Sequence, residues 1–186
     1  RDNILGSGFY NPHARIAVRI LEHRRSTDLD FTPVAPKEIA RKRLFTALAR
    51  RKALGLPDDQ TTGFRACHGE GDLLSGLAVD QFGATALIHL RSRAMYESRQ
   101  EIARIVEGIL SVETVVSYVS EADSKLEAIP TGSEVLIGQL AGEVDYLAAG
   151  VRYRVDLSAG VKTDPYLMHR ENRQRFAALC RDHDVL

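Results

Sequence analysis

The sequence is short of the residues on which several kinds of chemistry depend. Cys67 and Cys180 are its two cysteines in 186 residues. Two thiols this far apart make neither a CxxC redox pair nor a four-ligand zinc site without other ligands, so packed, reduced thiols are expected. No apolar run approaches the ~20 residues that cross a bilayer. Arg1-Asp2-Asn3 lacks the charged-then-apolar layout of a secretory leader, and a cytoplasmic protein with no membrane partner is expected. No GK[ST] phosphate loop and no G-x-S-x-G nucleophile elbow occur. An initiating methionine is missing as well. Gly6-Ser7-Gly8-Phe9-Tyr10-Asn11-Pro12 reads as a turn inside an existing domain, and Asp184-Val185-Leu186 as the start of a buried strand, so both ends read as cut.

What is present is ordinary globular material, 44% hydrophobic and 27% charged, enough for one or two domains. The formal net charge of zero hides a split: residues 1–65 carry 13 Lys/Arg against 7 Asp/Glu, and residues 66–186 carry 12 against 18. A basic front half is the footprint of a segment that touches a polyanion, because phosphate neutralisation dominates nucleic-acid affinity.

Residues 14–21 alternate, placing Ile16, Val18 and Ile20 on one strand face and Arg15, Ala17 and Arg19 on the other. Pro33 and Pro36 mark a linker over 24–36. Pro36 and Glu38 suit a helix start, and Ala40, Leu44, Ala47 and Leu48 recur at helical spacing until Gly55. Lys37, Arg41, Lys42, Arg43, Arg50, Arg51 and Lys52 fall on the other sides of that helix, where the plain alternative is a solvated face. Strands over 64–68, 77–82 and 84–91 suggest a small antiparallel meander. A helix over 93–110 follows, capped by Ser92 and striped by Ile102, Ile105, Val106, Ile109 and Leu110. A strand over 113–119 returns to the sheet, and 120–133 read as a loop. Two strands, 143–147 and 151–157, form a hairpin across Ala148-Ala149-Gly150. Asp164-Pro165 opens a last helix reaching about residue 181.

Two segments carry candidate chemistry. His68-Gly69-Glu70-Gly71-Asp72 gathers an imidazole and two carboxylates, which opens a metal-dependent hydrolase reading. The preferred reading is a structural turn whose side chains bond neighbouring backbone. Residues 160–173 concentrate polar groups at a strand-to-helix junction, where unpaired N–H groups suit an anionic ligand. Cys67 and His68 are adjacent on a predicted strand and point to opposite faces, which argues against a Cys–His dyad.

Several segments together resemble one family, the PUA-domain RNA methyltransferases that make 5-methylcytosine in large-subunit rRNA, and the resemblance covers nearly the whole chain. Residues 8–21 look like the end of the family's PUA domain. Residues 64–72, Phe-Arg-Ala-Cys-His-Gly-Glu-Gly-Asp, and 75–83, Ser-Gly-Leu-Ala-Val-Asp-Gln-Phe-Gly, look like its central domain. Lys162, Thr163, Leu167, Arg170, Asn172 and Arg173 match the family's Lys-Thr-Gly-Phe-Phe-Leu-Asp-Gln-Arg-x-Asn-Arg pattern beside the cofactor. Asp164, Pro165, Tyr166, Met168 and His169 depart from it.

The resemblance implies an α+β protein: a PUA remnant over 1–26, a linker over 27–35, and a small mixed central domain with an antiparallel sheet over 36–130. A hairpin connection over 131–161 and the first helix of a Rossmann-like methyltransferase domain over 162–186 complete it. The implied cofactor is S-adenosylmethionine, contacted by Thr163, Tyr166, Arg170 and Asn172. The implied partner is RNA, specifically rRNA, held by Arg15, Arg19, Lys37, Arg41, Lys42 and Arg43, with a homodimer of the intact protein also envisaged. The family's cofactor loop and nucleophilic cysteine would follow residue 186, so no catalytic residue and no metal ligand is assigned, and no methyl transfer is expected of these residues alone. The alternative is a non-catalytic RNA-binding protein, which the Met168 and His169 departures favour.

Overall fold

The computed structural model describes residues 6–23, 34–140, 142–157 and 166–180. Its centre is a five-stranded sheet of β3 (Gly63–His68), β4 (Leu77–Phe82), β5 (Thr85–Leu90), β6 (Thr114–Val119) and β7 (Gly132–Ile137), hydrogen-bonded in that order. Three of its four pairings are antiparallel, but β5 and β6 run parallel. The sheet is therefore mixed, not the purely antiparallel one expected. The reason is the connection: α2 (Arg93–Glu97) and α3 (Arg99–Leu110) carry the chain back across the sheet between β5 and β6, as a parallel pairing requires. The single helix expected over 93–110 is broken at Ser98, while Ser92 does cap its start by accepting from the Met95 N–H at 3.4 Å.

One sheet face packs on helices. α1 (Pro36–Ala53) lays Ala40, Leu44, Ala47 and Leu48 against Phe64, Val79, Ile88 and Val115 of the sheet and Ile102 and Val106 of α3. Glu38 near the helix start and Arg50, Arg51 and Lys52 in its last turn complement the helix dipole. The opposite face is half covered by the hairpin of β8 (Glu143–Ala148) and β9 (Val151–Asp156), whose Tyr146, Val155 and Leu157 meet Phe82, Leu87 and Val116. Its turn uses positive φ at both Ala149 and Gly150, the combination of a tight type I′ connection. Gly63 is required beneath it, because the Tyr146 ring occupies the space a Cβ there would need.

Three further differences from the sequence-based expectations have physical causes. Residues 120–133 are not simply a loop: Ser120 caps a short helix, α4 (Glu121–Glu127), and β7 follows, extending the sheet past residue 130 to Ile137. The strand expected over 14–21 begins later, as β2 (Val18–His23), paired with β1 (Gly6–Tyr10). Its faces are also inverted: Ile16, Val18 and Ile20 are 59%, 56% and 49% exposed, while Leu21 is buried. Arg19 shares the inward side with Leu21 because it is held by buried Glu127 at 2.7 Å. The last helix, α5, spans Arg170–Leu179 after a 3-10 turn over Leu167–His169, and the expected cap at Asp164-Pro165 lies outside the described residues.

Candidate nucleic-acid interface

The basic residues of the front half divide into two groups with different work. Arg41, Lys42 and Lys52 stand exposed on α1 with no ion pair among the described residues, and Arg15 is exposed in the β1–β2 connection. Lys37 is exposed and makes a loose surface pair with Glu101 at 3.6 Å, an interaction worth little in water. These five can meet a polyanion at the cost of no contact but the loose Lys37–Glu101 pair.

The other cations are tied inward. Arg19 pairs with Glu127 and donates to the Ser75 hydroxyl at 3.3 Å. Arg43 donates to the backbone carbonyls of Leu21 and Leu73, pinning α1 to β2 and to the turn after His68. Arg19 and Arg43, both expected to hold RNA, thus also carry bonds that hold the fold together. Arg50 and Arg51 reach Asp72 at 3.2 and 2.7 Å.

The turn over Gly69–Asp72 is built by the same bonds. Asp72 accepts from the His68 N–H at 2.7 Å as well as from Arg51 and Arg50, and Glu70 accepts from the Ser75 hydroxyl at 2.9 Å. Burial would raise the Asp72 pKa, but the hydrogen bonds from Arg51 and His68 hold it below the ordinary carboxylate value. Among the described residues His68, Glu70 and Asp72 join no cluster that could hold a metal; of these bonds, that from the His68 N–H to Asp72 is the one to neighbouring backbone, the others being to the side chains of Arg50, Arg51 and Ser75.

Sequence reasoning missed the strongest polar feature of the sheet. Asp80 on β4, 1% exposed, accepts a two-pronged pair from Arg65 at 2.8 and 2.7 Å, and its Oδ2 lies 2.9 Å from His89 Nε2. Burial works to raise its pKa, yet the Arg65 and His89 hydrogen bonds and charges bring it below the usual range. The signal in the sequence was a charged residue inside a mostly apolar strand, Leu77-Ala78-Val79-Asp80-Gln81-Phe82.

Arg65 and His68 also line a cleft of about 270 Å³ with Arg51, Leu56, Phe64, Leu167, Met168 and Arg170. Of the residues expected to contact a cofactor, Arg170 alone among the described ones lines it, already paired with Glu171 at 3.3 Å. Tyr166 is exposed and stacked on His169 with ring centroids 5.2 Å apart. Asn172 is exposed on α5, and Thr163 lies outside the described residues. Of the four expected cofactor contacts, the described residues thus bring one, Arg170, to this cleft. Cys67 is no nucleophile either: burial, with the Asp72 charge, pushes its thiol up to about 12.

Two solved structures share this fold. A solved Streptococcus mutans protein assigned as SAM-dependent methyltransferase superposes with a TM-score of 0.70 at 19% identity, covering 92% of this chain and 42% of that one. A methyltransferase complexed with SAH, SMU.776, gives 0.73 at 19% identity over 94% and 42%.

The relatives by sequence are more particular. Ribosomal RNA large subunit methyltransferase I of Alteromonas mediterranea is 31% identical over 182 residues, 98% of this chain and 44% of that protein. Ribosomal RNA large subunit methyltransferase of Deinococcus radiodurans is 30% identical over 192 residues, 100% of this chain and 46% of that protein. The chain spans under half the length of these relatives, and no family model matches it.

Proposed function

We propose that this chain is the RNA-holding portion of an S-adenosylmethionine-dependent methyltransferase acting on large-subunit rRNA, with 5-methylcytosine as its product. The observation that carries the reading is the similarity, end to end, to two proteins named for rRNA methylation. RNA is held along α1 by Arg41, Lys42 and Lys52, with Lys37 and Arg15 beside them, all exposed. The β1–β2 ribbon is the piece assigned to a PUA domain. The cofactor is S-adenosylmethionine, with Thr163, Tyr166, Arg170 and Asn172 at the edge of its site and the rest of that site supplied by residues outside this chain. The attacking thiol is likewise supplied from elsewhere, since the buried Cys67 stays protonated at neutral pH.

A second reading, an RNA-binding protein without transfer activity, is favoured by Met168 and His169, where the family pattern has Asp and Gln. The test common to both is RNA binding by the chain as salt is raised. Each phosphate contact contributes ~0.7–0.9 to the slope of log K against log salt. Replacing Arg41 and Lys42 by alanine should flatten the slope by about 1.5, two such contacts. A slope unchanged by that double substitution removes α1 as the RNA surface.

A further inference from the structure

Phe45 lies on the outer side of α1 and is 55% exposed, with the exposed Glu38 two turns before it on the same side. The helix does not need it for packing, because Ile39, Ala40, Leu44, Ala47 and Leu48 already fill the buried side. Its helical neighbours at three and four residues toward the N-terminus are Lys42 and Arg41, and seven residues on, two turns along the same side, is Lys52. The residue one turn toward the C-terminus is Ala49, whose side chain is too small to cover the ring. Among the described residues no cation lies over the ring face: their guanidinium–ring contacts are Arg99 over Tyr96 and Arg173 over Tyr153.

An open aromatic face framed by unpaired cations is the arrangement that grips unpaired nucleotides. The cations follow the phosphates, and the ring offers a stacking surface to any base. A duplex cannot use such a ring, because its bases are already stacked and enclosed by the backbone. We propose that Phe45 stacks on an unpaired base, so that α1 selects single-stranded or bulged RNA over duplex. The inference rests on the RNA-holding reading above and adds to it the structural class of the RNA.

The chain contains no tryptophan, so Phe45→Trp provides a single fluorescent reporter at the position in question. The experiment titrates this variant, the parent, Phe45→Ala and Phe45→Leu with a single-stranded RNA about 12 nucleotides long, enough to span a typical single-strand site, and with the duplex of the same sequence, at two salt concentrations. The expected result is quenching of the introduced indole's emission by the single strand and none by the duplex. Phe45→Ala should weaken single-strand binding by roughly 5- to 140-fold, the range of one base–aromatic stack, with the salt slope unchanged. Phe45→Leu should lose nearly as much, because it keeps an apolar side chain but has no π face. If all variants bind the single strand as the parent does, with a normal salt slope and no quenching, the stacking role is overturned and the RNA surface stands. If neither RNA binds in a salt-dependent way, the RNA-holding reading fails and takes this inference with it.

Discussion

Replacing Asp80 by asparagine keeps the shape of the side chain and removes its charge, which makes it the sharpest probe of how the sheet is held. The carboxylate is 1% exposed and receives two hydrogen bonds from Arg65 and a third contact from His89. Hydrogen bonds to charged groups contribute ~1.5–3 kcal/mol each. Removing one member of a buried pair, which leaves the other charge without its counterpart, costs about 3–5 kcal/mol. A chain of this size loses roughly 2–4 °C of Tm per kcal/mol, so Asp80→Asn should lower Tm by about 6–20 °C. Urea denaturation monitored by circular dichroism reads the same loss as a lower midpoint. In the cycle with Arg65→Ala, the double variant should lose less than the sum of the singles by ~1.5–3 kcal/mol, the upper range of coupling for residues in contact. The pH dependence has a definite sign. The folded pKa of Asp80 lies below its unfolded value of ~3.9. Its contribution is therefore complete above that value and disappears as pH falls through the folded pKa. Asp80→Asn should accordingly show a flatter acid limb than the parent. A cost under ~1 kcal/mol with additive singles would refute this account of the pair.

The remaining predictions address the division of labour among the other residues. Arg43→Ala, unlike Arg41→Ala, should lower the urea midpoint while leaving the salt slope of RNA binding in place, because its donors serve Leu21 and Leu73. Cys67 should resist iodoacetamide in the native protein at mildly alkaline pH and react when the chain is unfolded in urea, given a thiol held at about 12 by burial. Rapid native labelling of Cys67 would contradict its placement. Gly63→Ala should destabilise the chain by about 1–3 kcal/mol, as overpacking does, since the new methyl meets the Tyr146 ring. A Tm equal to the parent's would show that the hairpin does not sit on β3.

Much of the fold was legible because local patterns and burial agreed. The periodicity of α1, the stripe of α3 and the β8–β9 hairpin each follow from residues that a single face buries. Two of the failures, at β2 and at Glu127, share a cause: a partner distant in sequence. Val18 and Ile20 look like the inner face of a strand, but Arg19 is drawn inward by Glu127, 108 residues away. Glu127 itself sits in a stretch polar enough to read as loop, yet it is buried by Arg19, Asn11 and the Arg93 N–H. The same blindness applied to the site. The seven cations of α1 read alike in sequence, and only the positions of Asp72, Leu21 and Leu73 separate structural arginines from available ones. Phe45 carries no signal in the sequence because an aromatic residue on a helix usually marks the core, and its exposure emerges only once α1 is docked.

The most direct test of the central claim is methyl transfer by the protein that contains this chain. Large-subunit rRNA is incubated with radiolabelled S-adenosylmethionine, digested to nucleosides and separated. The account predicts label in 5-methylcytidine, with Arg41→Glu/Lys42→Glu raising KM for rRNA while leaving kcat near the parent value. Absence of label from rRNA, or a charge-reversed variant with an unchanged KM, would contradict it.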